Sequence, residues 1–450
     1  MAARERILTD ETGMKIAQAI ERVADAVNEN AGLIYGFHIS NNESDPSAKV
    51  TYLKDAVGMT PAHMDYSNGV FDYGSWENAF FMPRPCMLKN DGTVDYYLDP
   101  NDHTKKEDGV TASDIANTSY AGNAMVEWGR PGQKIWMKII PDAGNLGASV
   151  YIADHQADND FKDWAFHNCK GQSVDHFYTP MYNGSLDSNN KLRSISGQAL
   201  MKNKKSWEEV TYARANNSGS NVLWDIEHYA DITLINMLLI LMGKSVDTQT
   251  VFGQGAHTSG TEAINNTFRT GVHNAKGMFY GTNSGTVASN DFANCVKVFF
   301  MENWWGLQWR RYLGHVMDTG SQKVKLTYGT EDGSTAVDYV ETSGGNANTP
   351  TGTGFKATGA TAFSGTSGNY VKYEWFTPDG MVPCGALDGT SATFYCDATW
   401  FNNSGVRVPS RGGPSNHGAR DGAFYVHLTN EAGYAGWHIG AALSCHPLAV

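Results

Sequence analysis

The side chains with the most varied chemistry lie in the C-terminal stretch of the chain, residues 408–450. Two segments of this stretch alternate between apolar and polar residues, one around Phe424, Val426 and Leu428 and one around Trp437 and Ile439. A period of two residues is typical of strands with one buried and one solvent-facing side. The solvent-facing side combines phenol, imidazole, hydroxyl, amide and carboxylate groups, namely Tyr425, His427, Thr429, Asn430, Glu431, Tyr434 and His438. Such a mixture suits recognition of a ligand by contact, and it is also what an ordinary C-terminal hairpin with a polar outer face presents.

A second group of polar residues precedes these strands and lies among glycines. It consists of Ser415, Asn416, His417, Arg420 and Asp421. Glycine, asparagine and aspartate favour turns, so we expect this group on turns that lead into the strands.

The sequence lacks common catalytic and metal-binding motifs. It contains neither an HExxH pair nor a GxSxG nucleophile turn, and no GxGxxG opens a helix. Gly243, Lys244 and Ser245 resemble the end of a phosphate-binding loop, but they follow a predicted helix and the earlier glycine is missing. The cysteines form no CxxC pair and do not have the spacing of zinc ligands. The residue triplets that bind a calcium ion together with a sugar are also absent. We therefore predict a protein that is not an enzyme and that has neither a cofactor nor a metal site.

The small residues between the polar positions form a recognisable frame. It reads RGG from Arg411, then G-x-x-x-G-A-F-x-V-x-L from Gly418, then W-x-I-G-A-A-L-S-C from Trp437. This frame resembles the variable region of the target proteins of diversity-generating retroelements, a family that includes receptor-binding proteins of phage tail fibres. In that family the frame is held constant while the residues between its positions are diversified. The resemblance implies a ligand-binding surface of diversified residues, namely Ser415, Asn416, His417, Arg420, Asp421, Tyr425, His427, Thr429, Asn430, Glu431, Tyr434, Gly436 and His438.

The resemblance also implies a fold for the C-terminal part of the chain. It is specific over residues 408–445 and rests on scattered landmarks over 154–407. Asn303 and Trp305 match part of the N-x-W-E-W element of C-type-lectin-like domains of the formylglycine-generating-enzyme type. We therefore expect such a domain at 154–450, with a Gly/Thr/Ser-rich hairpin insertion at about 329–368. The neighbouring Trp304, Trp305 and Trp309 suit either a sugar-binding platform or a buried core, and the core is favoured because large aromatic residues are usually buried.

The elements that precede this domain are predicted from hydrophobic periodicity. Residues 10–30 have the pattern of one helix, in which Ile16, Ile20, Val23 and Val27 recur at the spacing of a coiled-coil seam. This segment, assigned to 1–31, is either an oligomerisation or docking element or a helix packed on its own domain. Short strands separated by turns predict a small β-rich domain at 32–153. A helix opening at Trp224 and ending at Gly243 is expected to lie in the core. The fold class is therefore α+β.

Composition and charge limit the possible partners. The chain has 450 residues and a net charge of -13, which argues against binding nucleic acid through its phosphates. The apolar run at 234–242 is too short to span a bilayer, and no secretory signal is visible at the N-terminus. The six scattered cysteines suit reduced, buried thiols in a protein made in a cytosol.

Together these features and the resemblance predict a phage receptor-binding protein that displays a diversified surface for attachment to the host cell. It would bind a protein or glycan receptor, join a phage tail or another particle through its N-terminal part, and form a homo-oligomer, with a trimer favoured. It would be synthesised in the bacterial cytoplasm and carried on the virion. The alternative is a structural virion component, such as a tail or capsid decoration protein, without a diversified site.

Overall fold

The computed structural model of the protein describes residues 32–168, 171–217, 224–256, 266–283, 292–326, 340–341, 348–349 and 355–447. The helix predicted at 10–30 and most of the insertion predicted at 329–368 lie outside the described residues. Within them the fold is mostly β-sheet with few helices.

The helices and strands of the described residues are numbered in chain order. The α-helices are α1 (Ser206–Arg214), α2 (Tyr229–Gly243) and α3 (Thr248–Phe252), and single turns of 3-10 helix lie at Ala143–Asn145, Trp164–Phe166 and Gly418–Arg420. The strands in the first half are β1 (Ile34–Ser40), β2 (Val50–Lys54), β3 (His63–Asp65), β4 (Val70–Asp72), β5 (Arg84–Lys89), β6 (Val94–Tyr97), β7 (Gly122–Trp128), β8 (Trp136–Pro141), β9 (Gly147–Ala153), β10 (Phe177–Pro180), β11 (Ser185–Leu186), β12 (Leu192–Arg193) and β13 (Trp224–Ile226). The strands in the second half are β14 (Lys297–Val298), β15 (Met301–Glu302), β16 (Trp309–Arg311), β17 (His315–Asp318), β18 (Ser321–Val324), β19 (Val340–Glu341), β20 (Asn348–Thr349), β21 (Lys356–Ala357), β22 (Asn369–Tyr370), β23 (Glu374–Thr377), β24 (Gly380–Pro383), β25 (Ala398–Phe401), β26 (Val406–Arg407), β27 (Ser410–Arg411), β28 (Val426–Leu428), β29 (Ile439–Ala441) and β30 (Leu443–Cys445).

The strands predicted in the segment 32–153 are present. A four-stranded sheet has the order β2-β1-β9-β8, and all of its pairs are antiparallel. In β1, Phe37 and Ile39 are fully buried. Their spacing of two residues places both on the face that packs into the core.

A second sheet joins this segment to the rest of the chain. Its order is β13-β30-β10-β7-β5-β6, so strands from both sides of residue 153 pair with one another. The last strand, β30, pairs with β10 and β13. Backbone hydrogen bonding therefore continues across the domain boundary predicted at residue 153.

The central helix α2 is buried on all sides, as its apolar sequence predicted. His228 caps its N-terminus, because its side chain accepts a hydrogen bond from the backbone N–H of Ala230. Lys244 ends it in the left-handed conformation, with φ of 49°. The predicted start of the helix at Trp224 is wrong. Trp224–Ile226 forms β13 instead, because these residues pair with the C-terminal strand β30.

The tryptophan-rich segment belongs to the interior, as favoured. Trp304, Trp305 and Trp309 are each at most 1% exposed. The indole N–H of Trp304 donates to the side-chain oxygen of Asn236 on α2 at 2.9 Å. The described cysteines are buried and form no disulfide with one another, which fits the reduced thiols that the sequence predicted.

The two C-terminal strand patterns lie in one sheet but do not form a hairpin. That sheet has the order β22-β25-β28-β27-β16-β29, so β27 and β16 separate β28 from β29. Strand β28 runs parallel to β25, and β29 runs parallel to β16. An expected local pairing is thus replaced by long-range pairings with segments near residues 310 and 400.

Candidate ligand-binding surface

The C-terminal sheet has one face directed to the core and one that carries aromatic and imidazole groups. Across its strands His427 is paired with Ser410, and Ser410 is paired with Arg311. Trp400 is paired with His427 on the other side. Directly paired residues project from the same face of a sheet, so Trp400, His427, Ser410 and Arg311 share the outer face.

The opposite face carries the supporting contacts. Val426, Arg411 and Arg310 alternate with the outer residues and point inwards. The guanidinium of Arg411 donates to the carboxylate of Glu227 at 2.5 Å and lies 3.5 Å from the ring centroid of Trp304. Arg411 and Glu227 are each 1% exposed, so the first arginine of the RGG frame anchors the sheet to the core.

Five rings form a layer on the outer face, which we call the ring cluster: Trp309, Trp400, His417, Tyr425 and His427. The ring centroid of Trp309 lies 4.6 Å from that of Tyr425 and 5.0 Å from that of His427. The indole of Trp400 lies 5.6 Å from His417 and 6.4 Å from His427. Ser410 lies between His427 of β28 and Arg311 of β16 in the strand pairing.

A second pair of rings extends this surface towards β29. The ring centroids of Tyr434 and His438 are 6.0 Å apart. Tyr434 is 39% exposed. The backbone carbonyl of Tyr434 accepts a hydrogen bond from the buried guanidinium of Arg311, which also pairs with Glu209 at 2.9 Å. The loop that carries Tyr434 is thereby fixed to the sheet from beneath.

The predicted binding residues differ widely in exposure. Asn416, Arg420 and Tyr434 are exposed, and His417, Thr429, Asn430, Glu431, His427 and His438 are half-buried. The remaining four, Ser415, Asp421, Tyr425 and Gly436, are buried. The structure thus brings several predicted positions to one surface, but it places these four beneath it.

Tyr425 is the clearest correction among these residues. Alternation predicted that it faces outwards with His427, and it does lie on that side of the sheet, but it is 0% exposed. Trp309, Trp400 and His417 cover it. Its predicted exposure to solvent is wrong, because aromatic rings from distant segments cover it.

Asp421 is buried next to another carboxylate. Burial and the negative charge of Asp397 raise the pKa of Asp421 well above its usual range. Neither carboxylate oxygen of Asp421 hydrogen-bonds to a described residue. The backbone carbonyl of Asp421 does accept a hydrogen bond from the side-chain amide of Gln249. A buried group of this kind belongs to the support of the turn rather than to its contact surface.

The imidazoles of the surface are neutral at physiological pH. Burial, with contributions from the positive charge of Arg420 and from the neighbouring imidazole of His438, lowers the pKa of His417 to about 4. Burial and the neighbouring His438 and His417 lower the pKa of His427 to about 3. Burial and Arg311 lower the pKa of His438 as well. These side chains can therefore act as uncharged hydrogen-bonding groups.

Sequence reasoning missed Trp400, which belongs to this surface, and Arg311, which supports the surface from beneath. Trp400 lies on β25, well outside the stretch that attracted attention, and Arg311 ends the tryptophan-rich segment. Of the rings contributed by distant segments, only Trp309 stood out in the sequence, as part of the tryptophan-rich segment. It was predicted to lie in the core, and its side chain is 1% exposed. Contact with the ring cluster depends on long-range strand pairing, which a single sequence does not reveal.

We find no arrangement suited to metal binding in the described ranges. No group of three or more histidine, cysteine, aspartate or glutamate side chains converges there as a metal site. Among the same residues, no helix combines the length and apolar character needed to cross a membrane.

Comparison with known proteins gives distant structural matches. No protein-family model matches the chain, and no curated protein is similar to it in sequence. Two similar solved structures are the M1 and U1 variants of the major tropism determinant of a Bordetella phage. The M1 variant is 11% identical with a TM-score of 0.26, and the alignment covers 81% of this chain and 72% of that chain. The U1 variant is 11% identical with a TM-score of 0.24 and the same coverage. TM-scores of this size do not establish a shared fold.

Proposed function

We propose that the protein is a phage receptor-binding protein and that the outer face of its C-terminal sheet is a diversified surface for attachment to the host cell. One observation carries this proposal. Residues from separate segments of the predicted variable region, including His417, His427 and the pair of Tyr434 and His438, lie on one side of the C-terminal sheet.

The physical basis of the proposal is that buried frame residues and exposed surface residues are different residues of the same sheet and its loops. The frame residues Phe424 and Ile439 are 2% and 0% exposed, and Arg411 is held by an ion pair in the core. A surface ordered before the ligand arrives avoids much of the entropy cost of binding. Exposed residues such as Asn416 and Arg420 can then be exchanged without unfolding the sheet.

The surface has the composition of an adaptable binding site. Tyr434 and the half-buried Trp437 supply large, stiff contact area, which suits anchor residues. Arg420 and Glu431 supply charge, although Glu431 also pairs with Arg407 at 2.9 Å. Electrostatic groups at the rim set specificity more than raw affinity.

The wider assembly is part of the same proposal. The N-terminal segment would dock the protein to a phage tail or another particle, and the chain would form a trimer on the virion. Several copies on one particle would strengthen weak individual contacts with the receptor. The lectin-like assignment of 154–450 and its boundary at residue 153 belong to this proposal too.

A structural virion component is the competing candidate. In that case the C-terminal sheet would only pack against neighbouring proteins, and its outer face would be the same in related isolates. A diversified adhesin would instead differ between isolates at exposed and half-buried positions such as Asn416, His427 and Tyr434, while Phe424 and Ile439 stay the same.

Binding of labelled full-length protein to a panel of bacterial strains tests the proposal. Tyr434→Ala should lower binding to a responsive strain at least about tenfold, since an aromatic anchor contributes on the order of 2 kcal/mol. Leu146→Ala is the matched control, because Leu146 is 53% exposed and lies on the N-terminal half of the chain. Equal binding by both variants and the wild-type protein, or binding to no strain, would contradict the proposal.

A further inference from the structure

The ring cluster contains a chain of hydrogen bonds that ends at its surface. The indole N–H of Trp400 donates to the phenol oxygen of Tyr425. The same phenol oxygen lies 2.8 Å from Nδ1 of His417. Tyr425 is 0% exposed, and these are the only two hydrogen-bond partners of its hydroxyl within the described part of the chain.

This geometry fixes the position of the proton on His417. An indole N–H can only donate, so the phenol oxygen acts as acceptor towards Trp400. The phenol proton then needs an acceptor of its own, and Nδ1 of His417 is the one within reach. If Nδ1 carried a proton instead, the buried phenol proton would have no partner, at a cost of about 1–3 kcal/mol. His417 is therefore the tautomer with its proton on Nε2.

The other ring nitrogen of His417, Nε2, points away from the hydroxyl of Tyr425. In an imidazole ring Nδ1 and Nε2 point in widely divergent directions, so a ring with Nδ1 on the buried phenol turns Nε2 away from it. Nε2 of His417 makes no hydrogen bond to a described residue and is not among their enclosed, unpartnered atoms. It is available to a ligand.

His427 shows a related arrangement. The backbone N–H of Thr429 donates to Nδ1 of His427 at 3.4 Å, a long contact. A backbone N–H cannot accept, so Nδ1 is unprotonated and the proton again lies on Nε2. Burial lowers the pKa of both imidazoles, which keeps them neutral at about pH 7.

We infer that Tyr425 is a positioning residue that holds His417 as its Nε2–H tautomer, and that His417 and His427 offer two uncharged Nε2–H donors to oxygen acceptors of the ligand. The ligand part of this inference rests on the proposed function, whereas the tautomers do not. A site with fixed, uncharged donors rejects a ligand that lacks the matching acceptor, because the donors are then left unpaired. His417 and His427 therefore determine specificity, and Tyr425 acts from beneath through His417.

Nitrogen NMR of the full-length protein with labelled histidine rings tests the tautomers directly. In a neutral imidazole the unprotonated nitrogen resonates far downfield of the protonated one. We expect Nδ1 to be unprotonated in both His417 and His427, with signals assigned through His417→Gln and His427→Gln. A protonated Nδ1 on His417 in the wild-type spectrum would overturn the inference.

The role of Tyr425 is tested by Tyr425→Phe, which removes the hydroxyl and keeps the ring. We expect the His417 signals to move to a mixture of tautomers, while Tyr434→Phe, the matched control, leaves them unchanged. A Tyr425→Phe protein that is folded and shows an unaltered His417 tautomer would contradict the positioning role.

The donor role is tested with a strain that binds the wild-type protein. A glutamine amide reaches the position of Nε2, and an asparagine amide reaches only that of Nδ1. His417→Gln should therefore retain binding, whereas His417→Asn should weaken it about three- to tenfold, the range of one hydrogen bond. Wild-type binding by His417→Asn would overturn the donor role. If Tyr434→Ala still weakened binding, the proposed function would stand.

Discussion

Tyr425 and Tyr434 differ in burial: the first lies beneath the binding surface and the second is exposed on it. Tyr425 is 0% exposed beneath Trp309 and Trp400, and Tyr434 is 39% exposed next to His438. The first tyrosine stabilises the surface, and the second is available to a partner. Alternation along the strand correctly gave the side of the sheet for Tyr425, but the rings that cover it come from β16 and β25, far away in sequence.

This difference predicts opposite effects of truncation. Tyr425→Ala should lower the free energy of unfolding by about 3–5 kcal/mol, because it removes a buried ring and leaves a cavity. Tyr434→Ala should change it by less than about 1 kcal/mol. Urea unfolding of both variants measures the two values, and similar losses would show that the two tyrosines do not occupy different layers.

The imidazoles make the free energy of unfolding depend on pH. The pKa values of His417 and His427 lie at about 4 and about 3, below the ordinary value of 6.5. As the pH falls from about 6.5 towards 4, the unfolded chain takes up protons that the folded chain does not, so their contribution to stability is lost. The groups around them include Arg311, Arg420 and His438, whose positive charges act in the same direction, and Asp421, whose raised pKa acts in the opposite one.

A comparison of pH slopes isolates the two histidines from other titrating groups. We expect the free energy of unfolding of the wild-type protein to fall more steeply between about pH 6.5 and 4 than that of the double variant His417→Gln, His427→Gln. Urea unfolding at several pH values provides both slopes. Equal slopes would mean that these imidazoles titrate alike in the folded and unfolded chain.

At the scale of elements, one ion pair links β27 to the segment before α2. Arg411 and Glu227 are each 1% exposed, and their closest atoms are 2.5 Å apart. Arg310 also approaches Glu227, at 3.6 Å. Without Arg411, the buried carboxylate of Glu227 would lose its direct hydrogen bond and keep only the longer contact with Arg310, which is costly for a desolvated charge.

We therefore expect Arg411→Met to lower the free energy of unfolding by about 3–5 kcal/mol. Arg407→Met is the matched control, because Arg407 pairs with Glu431, whose side chain is 43% exposed, and should cost about 1 kcal/mol or less. Thermal or urea unfolding of both variants gives the comparison. A loss at Arg411 no greater than that at Arg407 would contradict the anchoring role of the frame arginine.

The elements also show where a single sequence is informative. The buried helix α2 and the strands of 32–153 follow from local periodicity, and both are present. The C-terminal hairpin does not form, because β28 and β29 pair with β25, β27 and β16 rather than with each other. Trp224 enters a strand rather than the helix for the same reason, since its partner is Cys445 at the end of the chain.

At the scale of the whole molecule, the C-terminal segment contributes strands to two different sheets. It contributes β28 and β29 to the sheet that carries the surface, and β30 to the sheet that also contains β5, β6 and β7. Variation can be tolerated only where it does not disturb these pairings. The predicted variable positions therefore fall into an upper set that is free to change, such as Asn416, Arg420 and Tyr434, and a lower set, such as Asp421 and Tyr425, in which change affects stability.

The nucleotide sequence around the gene is the most direct test of a diversified surface on a constant frame. We expect a near-copy of the codons for about residues 400–445 beside a reverse-transcriptase gene, with differences only where the copy has adenine. The differences should include the codons of exposed positions such as Asn416, Arg420 and Tyr434 and should spare those of Phe424 and Ile439. The absence of such a copy, or differences concentrated at the buried frame residues, would contradict a diversified surface.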